Sequence, residues 1–223
     1  MWRDLACEEY DSTSQAPADH GYELEYIDFS CGPLSLAHCR RDGAAEIRTR
    51  GHIRKSTDHW LCVQVLLKGR GEGRIGDIRY QSTPNGILIV DMSRPAEIWR
   101  RGAETIALRL PMDQLAQAMP DIGDPCGFFP GGLASDLFRD HLRSIMRNAS
   151  GISLESAVPI FDATIQILAA AILQSGKRAD AASPALDTTF LQRSKAYIAD
   201  NIFDFDLTPE TIARSIGVSR RKL

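Results

Sequence analysis

The sequence lacks the features that mark secreted and membrane-spanning proteins. It has no uninterrupted apolar run near the roughly 20 residues that a membrane-crossing helix needs. Its first fifteen residues, MWRDLACEEYDSTSQ, carry acidic side chains where a secretory signal requires an apolar core. The five cysteines form no CxxC pair and no even-numbered framework, which indicates reduced thiols. We therefore predict a cytoplasmic protein that has no membrane partner.

Signatures of catalysis are missing as well. The sequence contains no GxSxG elbow, no P-loop and no GxGxxG motif after a predicted strand. The five histidines include no HxH pair, so a three-ligand metal site for enzymatic chemistry is not expected. The glycine-rich stretch at 69–73 is predicted to be a hairpin turn, not a phosphate cradle. We predict no catalytic residue, no metal and no cofactor, and an enzyme is the least favoured alternative.

A strong charge of one sign is absent too. The chain has 26 lysines and arginines against 29 aspartates and glutamates, a net charge of −3. Any contact with nucleic acid must therefore come from a local basic patch. Apolar residues make up 43% of the 223 residues, an ordinary share for a folded chain with a full core. This length suits one large domain, or a medium domain with a small partner.

The pattern between residues 22 and 110 is that of short β-strands. Residues 60–69, WLCVQVLLKG, are almost continuously apolar, as expected for a strand that is buried on both faces. Segments rich in glycine and proline separate the strands and predict turns. Many short strands at close spacing predict a barrel or a sandwich. The other predicted strands are 22–29, 34–40, 73–81, 86–92, 96–102 and 104–110.

From residue 111 onwards the apolar period becomes helical. Residues 133–148 and 153–175 repeat apolar side chains three or four positions apart. A β block followed by this helical pair predicts an α+β domain. The stripe of the second helix either packs on the β block or forms the seam of a homodimer. The candidate dimerisation residues are Phe161, Ile165, Leu168 and Ile172.

The C-terminal segment contains a helix-turn-helix pattern. Residues 176–187 are small and polar, which is typical of a linker, and residues 188–202 are predicted to form an amphipathic helix. Thr208 is a predicted N-cap, and Gly217 suits the tight turn before a second helix that starts at Ser219. In a helix-turn-helix the second helix enters the major groove of DNA.

This segment resembles a known family. The string YIADNIFDFDLTPETIARSIGVSRRKL is similar to the first helix-turn-helix of the AraC/XylS transcriptional regulators, with its YI-x-x-N, L-T-x-x-x-I-A and G-V-S-x-R-x-L segments. The cupin-like barrel that senses small effectors in that family is similar, more loosely, to residues 66–80, 84–86, 89–97 and 107–121. The resemblance implies a cupin-like sensing and dimerisation domain at 1–175, a linker at 176–187 and a partial helix-turn-helix domain at 188–223.

The resemblance also implies which residues contact DNA. Ser219, Arg220, Arg221 and Lys222 open the recognition helix, and the basic side chains among them suit phosphates and base edges. The chain departs from the family because it stops at Leu223, one turn into that helix. The rest of the helix, the long linker helix and the second helix-turn-helix are absent. We expect either a fragment or a truncated gene.

Polar and aromatic side chains on the predicted strands are candidates for an effector site. A small barrel can hold one ligand, and an arginine at its mouth suits a carboxylate through paired hydrogen bonds. A buried Gln64 needs a hydrogen-bond partner, which an effector can supply. Which strand face points inward stays open, because a one-residue shift of register inverts it. The candidate effector-binding residues are His38, Arg40, Trp60, Gln64, Trp99 and Arg109.

Together these patterns predict an α+β fold: a cupin-like β-barrel or sandwich with a C-terminal helical pair, followed by an all-α incomplete helix-turn-helix segment. They predict an effector-responsive, DNA-binding transcriptional regulator of the AraC/XylS type. Its predicted partners are DNA in the complete protein, a small effector of aromatic or acidic character, and a second copy of the chain. The alternative is a stand-alone ligand-binding and dimerisation module without DNA binding.

Overall fold

The chain divides into two compact units, Met1–Ala181 and Ala182–Leu223. A computed structural model describes residues 10–14, 24–41, 43–56, 59–175, 197 and 208–215. The first unit holds the sheet and four described α-helices, and the second contributes one described α-helix. The predicted domain boundaries stay predictions, because the linker at 176–187 lies outside the described residues.

The first unit is built around antiparallel β-structure. Its described strands form one nine-stranded sheet, in which every pair is antiparallel. This sheet, followed by a helical pair, confirms the predicted α+β class. The strands are β1 (Asp11–Ser14), β2 (Leu24–Cys31), β3 (Leu34–Arg41), β4 (Ala44–Arg48), β5 (Trp60–Ile75), β6 (Ile78–Ser82), β7 (Ile87–Asp91), β8 (Ala96–Pro111) and β9 (Gly127–Phe129).

Two strands of 16 residues each, β5 and β8, organise the sheet. They pair with each other from Trp60 opposite Pro111 to Ile75 opposite Ala96. Strand β4 pairs with the first part of β8 and β3 with a later part, while β7 and β6 pair with successive parts of β5. Because each long strand passes from one set of neighbours to another, it bends, and the sheet curls into a barrel-like wall.

The bend of β5 lies where the sequence predicts a turn. The register of β5 against β8 shifts twice between Leu66 and Arg70. Gly69 has a φ of +83°, and a Cβ atom there would lie 2.4 Å from the Arg101 carbonyl oxygen, so only glycine fits. The hairpin predicted for this glycine-rich stretch is therefore wrong. The stretch bulges inside β5, and the chain reverses later, at 76–77.

The described helices are α1 (Arg50–Lys55), α2 (Met112–Ala118), α3 (Leu133–Arg147), α4 (Leu154–Gln174) and α5 (Pro209–Ser215). Helices α3 and α4 are the predicted helical pair. The sequence patterns do not predict α1, β1, β4 or β9, which have six residues or fewer each and therefore contain little periodicity. Strand β1 matters for the architecture, since it pairs with β4.

The buried apolar residues form two clusters, one on each face of the sheet. On β5, Leu61, Val63 and Val65 pack in a cluster that includes side chains of α3 and α4. The alternate residues Trp60 and Cys62 belong to the second cluster, inside the curl of the sheet. Strand β5 is thus buried on both faces, as its continuous apolar run predicts.

Helix α4 packs its apolar stripe into the core of the single chain. Phe161, Ile165, Leu168 and Ile172 are buried, and they join the cluster that contains the sheet. Of the two alternatives for this stripe, packing on the sheet is the one that the structure shows. A dimer seam made of these four residues stays a prediction, and it would require them to leave this core.

Helix α4 also corrects the expectation about membrane-spanning length. Its 21 residues are long enough, and with a mean hydropathy of 1.8 apolar enough, to cross a membrane by length and composition alone. Glu155 and Asp162 interrupt the apolar sequence, which is why no continuous run marks it. About 44% of the most apolar 18-residue stretch of this helix is buried. The core helices of soluble proteins can be equally long and apolar. The helix is therefore weak evidence for a membrane.

The second unit contributes helix α5. The Thr211 amide donates to Thr208 Oγ1 at 3.2 Å, and the Thr208 amide donates to Thr211 Oγ1 at 2.9 Å, as expected of an N-cap. Ile212 and Ala213 are buried. The predicted DNA contacts, Ser219, Arg220, Arg221 and Lys222, lie outside the described residues.

Candidate functional site

A cavity of about 290 Å³ lies inside the curl of the sheet. Strands β2, β3, β4, β5 and β8 supply nearly all of its wall, so hydrogen-bonded ladders hold most lining residues in place. This volume is at the small end of the range for ligand sites. The lining residues are Tyr10, Tyr26, Asp28, Ser30, Ser35, Leu36, Ala37, Cys39, Arg41, Glu46, Trp60, Cys62, Gln64, Arg100, Thr105, Ala107, Leu108 and Arg109.

Three buried charged residues meet on the cavity wall. Arg41 ends β3, Glu46 lies on β4 and Arg100 lies on β8. Arg41 Nη1 is 2.6 Å from Glu46 Oε1, and Arg100 Nη1 donates to Glu46 Oε2. Arg100 Nη2 donates to Gln64 Oε1. We call these three charged residues the arginine–glutamate cluster. One carboxylate serves two guanidinium groups, so the cluster by itself carries a net positive charge.

Burial and mutual attraction set the ionisation of the cluster. Burial by itself would raise the pKa of Glu46, but the attraction of the Arg100 and Arg41 guanidinium groups, together with the hydrogen bond from Arg100, outweighs it and lowers that pKa to about 2. Burial would likewise lower the pKa of Arg100, yet the Glu46 carboxylate outweighs it and raises the pKa. Glu46 and Arg100 are therefore both charged at neutral pH.

Arg41 has a buried donor without a partner. Its Nε atom has no hydrogen-bond acceptor in the described part of the chain, and its Nη1 meets Glu46 as an ion pair, not in hydrogen-bond geometry. Buried polar atoms are rarely left in this state, because each such atom lowers stability. Since Arg41 lines the cavity, a ligand there is a suitable acceptor.

Another part of the cavity wall combines aromatic rings with one positively and one negatively charged side chain. The Arg109 guanidinium lies 4.3 Å from the centre of the Trp60 ring, which is cation–π geometry. Tyr26 is 42% exposed, and Asp28 follows it on the same face of β2. Arg109 and Asp28 carry opposite charges, and the rings offer flat apolar surface.

Gln64 has hydrogen-bond partners inside the protein and needs none from an effector. The Gln64 amide oxygen accepts from Arg100, and its nitrogen donates to Cys62 Sγ at 3.2 Å. The polar groups of Gln64 are therefore satisfied inside the protein, without the effector that the sequence analysis offers as a hydrogen-bond partner.

Burial raises the pKa of the Cys39 thiol, so this thiol is not a nucleophile at neutral pH. Across the described ranges, no group of three or more His, Cys, Asp or Glu side chains is placed to hold a metal ion.

The structure brings together three of the six predicted effector residues. Trp60, Gln64 and Arg109 line the cavity. Of the other three, Arg40 is exposed, Trp99 is 39% exposed, and His38 Nε2 pairs at 3.2 Å with a carboxylate oxygen of Glu104. None of these three lines the cavity. All six stay predictions as binding residues, and the geometry favours the first three.

The residues that sequence reasoning misses are immediate neighbours of the predicted ones. Arg41 follows Arg40 and Arg100 follows Trp99, so each lies on the opposite, inward face of its strand. On β8, an extra residue near Gly102 shifts the pairing with β5. Arg100 and the odd-numbered positions from Thr105 to Arg109 therefore face the same cavity. The glycine marks an irregularity in the strand, but it does not show which face turns inward.

The chain matches a family model over most of its length. The model described as AraC-binding-like domain matches residues 2–174, a range that contains every strand of the cavity wall. Comparison with curated proteins finds no match.

Solved structures show where similar folds occur. The crystal structure of the AraC-like transcriptional activator CuxR is similar over 100% of this chain and 81% of that chain, with 23% identity and a TM-score of 0.68. At this identity the likeness shows the fold alone. KdgF from Halomonas sp. is 11% identical over 44% of this chain and 93% of its own, with a TM-score of 0.33. The Cnp3 cupin domain of Schizosaccharomyces pombe is 15% identical over 48% of this chain and 79% of its own, with a TM-score of 0.33.

Proposed function

The chain belongs to the AraC-binding-like domain family, and we propose that it acts as an effector-responsive, DNA-binding transcriptional regulator of the AraC/XylS type. The observation that carries this proposal is the cavity of about 290 Å³ with charged residues buried in its wall. Buried charges lower stability unless they are well paired. A cavity that keeps such charges therefore supports a role in binding a small effector.

The proposed DNA contact lies in the C-terminal segment, at 188–223. Helix α5 with its Thr208 cap occupies the position of the first helix in the predicted helix-turn-helix. The proposal places Ser219, Arg220, Arg221 and Lys222 at phosphates and base edges. This local basic group is compatible with a chain whose net charge is only −3.

The proposal includes a homodimer in the cytoplasm without catalytic activity. Apolar side chains are exposed at one end of the helical pair: Leu133 is 70% exposed, Leu137 58% and Leu173 71%. The Ala134 amide donates to Gln174 Oε1 at 2.6 Å, which brings the start of α3 to the end of α4. A second copy that covers these leucines would leave the buried stripe of α4 in place.

Regulation requires that the effector binds two arrangements of the protein with different affinities. The sheet strands that line the cavity also pack against α3 and α4 through their other face. We propose that ligand in the cavity changes the packing of this pair, and through it the placement of the DNA-binding segment.

A DNA titration tests the proposal. The protein is expressed from its complete reading frame and titrated onto fluorescent DNA from its own upstream region, at about 50 and 200 mM salt. We expect salt-sensitive binding that Arg221→Ala weakens, with a salt slope reduced by about 1. Arg54→Ala, which removes an exposed arginine of α1, is the control and should leave binding unchanged. Absence of salt-sensitive binding would refute DNA binding and favour the stand-alone ligand-binding module.

A further inference from the structure

Two pairs of arginines lie directly opposite each other on neighbouring strands of the sheet. Arg70 of β5 is opposite Arg101 of β8, and Arg74 of β5 is opposite Arg79 of β6. Like charges in directly opposite positions lower the stability of a sheet. Arg74 pairs with Glu97 at 2.7 Å, whereas the other three arginines form no ion pair within the described ranges. Stability of the fold therefore does not account for this arrangement.

The strand alternation places these arginines on the outside of the curled sheet. On β8, Ile98 is buried in the cluster inside the curl and Arg100 lines the cavity. Successive side chains of a strand point to opposite faces, so Glu97, Trp99 and Arg101 point outward. Their directly opposite partners on β5 share this outer face. The side of the sheet that faces away from the cavity is therefore rich in arginine at this end.

Trp99 lies in the middle of this outer surface. It is 39% exposed, and Glu72 of β5 lies directly opposite it, with Arg70 and Arg74 in the two diagonal positions. Tryptophan and arginine are the residues most enriched where proteins bind one another, and a polar rim around an aromatic side chain helps to exclude water from it. We call Arg70, Arg74, Arg79, Trp99 and Arg101 the tryptophan–arginine face.

The charges of this face indicate the chemistry of its partner. Its four arginines outnumber the two neighbouring carboxylates, Glu72 and Glu97, and leave a surplus of positive charge. A second copy of the chain presents the same surplus and is repelled. The backbone of duplex DNA offers no apolar group to the Trp99 ring, and it would meet both carboxylates. A protein segment that combines acidic and apolar side chains matches both the charge and the ring.

We propose that the tryptophan–arginine face binds an acidic segment of a partner protein, with an apolar side chain of that segment packed on Trp99. Carboxylates of the segment pair with Arg70 and Arg101, whose guanidinium groups suit paired hydrogen bonds. This inference goes beyond the proposed function, because the face lies on the other side of the sheet from the cavity and outside the segment that is proposed to contact DNA.

A peptide titration tests the inference. The full chain is titrated, with fluorescence anisotropy as the readout, into a labelled peptide of five glutamate–leucine repeats and into one of five lysine–leucine repeats. We expect the acidic peptide to bind at least about tenfold more tightly at about 50 mM salt, because the face carries a surplus of positive charge. The net charge of the chain is −3, so its overall field would favour the lysine peptide instead.

Two substitutions separate the aromatic ring from the charge. Trp99→Ala should weaken binding of the acidic peptide about tenfold or more, as truncation of a central aromatic side chain does at protein interfaces. Arg101→Gln should weaken it about threefold, and less at about 200 mM salt, where exposed charges are screened. Arg54→Gln on α1 and Val158→Ala on α4, both at exposed positions, are the matched controls and should leave the affinity unchanged.

Folding of the variants is checked by thermal unfolding. Arg101→Gln removes the like charge opposite Arg70, so its Tm should equal or exceed that of wild type. Arg101→Glu reverses the charge and should shift the preference towards the lysine peptide by at least about tenfold. This charge reversal tests the inference independently if Trp99→Ala does not fold.

The other outcomes overturn the inference. Equal affinity for the two peptides, or no binding of the acidic peptide at concentrations up to about 1 mM, refutes recognition of an acidic segment. Acidic-peptide binding that neither Trp99→Ala nor Arg101→Gln weakens refutes the role of this face. If the same two variants weaken binding of a random-sequence DNA duplex but not of the acidic peptide, the face contacts nucleic acid instead. The DNA titration above decides the proposed function separately from all of these results.

Discussion

Replacement of the Glu46 carboxylate is the most direct perturbation of the buried charges. Glu46→Gln keeps the size of the side chain and removes the only carboxylate in the arginine–glutamate cluster. Two guanidinium groups, each less than one-tenth exposed, then lose their shared counter-charge. The amide can still accept hydrogen bonds, so the variant removes mainly the charge.

Two independent arguments give the size of the effect. Removal of one partner from a buried ion pair costs about 3–5 kcal/mol. The fall of the Glu46 pKa from 4.5 to about 2 corresponds to about 3 kcal/mol, at about 1.4 kcal/mol per pH unit. We therefore expect Glu46→Gln to lower the free energy of unfolding by about 3 kcal/mol at pH 7, a large fraction of the stability of a domain.

The pH dependence gives the effect a signature. Because the pKa of Glu46 is lower in the folded state, its contribution is complete above about pH 4.5 and is lost as pH falls towards 2. Urea unfolding followed by tryptophan fluorescence should therefore show a gap between wild type and variant that narrows from pH 5 to pH 3. Glu97→Gln is the control, since its 2.7 Å pair with Arg74 is exposed and should contribute less than about 1 kcal/mol. A gap at pH 7 no larger than that of the control would refute the reasoning.

Three further predictions concern packing and protonation. Burial lowers the pKa of His141 from 6.5, so the free energy of unfolding should fall as pH drops below 6.5. Urea unfolding at pH 7.5 and 5.5 should show that His141→Gln removes this loss. The same pH dependence in wild type and variant would contradict the prediction. Gly69→Ala should destabilise the fold more than Gly102→Ala, because both need positive φ but only the first meets backbone atoms at 2.4 Å; equal Tm values would count against the bulge. Leu168→Ala should lower the free energy of unfolding, measured in urea, by about 2–5 kcal/mol. Leu173→Ala, at a position 71% exposed, should lower it little. Similar losses in the two variants would refute the burial of the α4 stripe.

Much of the architecture follows from patterns between residues that are close in the sequence. The continuous apolar run of β5 predicts a strand buried on both faces, and the structure confirms it. The stripe of α4 predicts a long helix in the same way, because its period depends only on residues three and four positions apart. Thr208 predicts the start of α5, since an N-cap acts within three residues of itself.

The site is only half predictable. Trp60, Gln64 and Arg109 are recognised as candidates because aromatic and polar side chains stand out within apolar strands. Arg41 and Arg100 are missed because their outward-facing neighbours are equally polar or aromatic. The neighbouring sequence therefore does not show which face of each strand points inward.

The sequence by itself determined the kind and order of the main elements and the resemblance to a regulator family, because periodicity and motifs are local properties of the chain. Tertiary structure alone decided the content of the cavity. An extra residue in each long strand changes the inward face part-way along it, and strand pairing brings Glu46 between arginines from two other strands. These contacts join residues that are up to 54 positions apart in the sequence. Patterns among neighbouring residues contain no information about contacts over such separations.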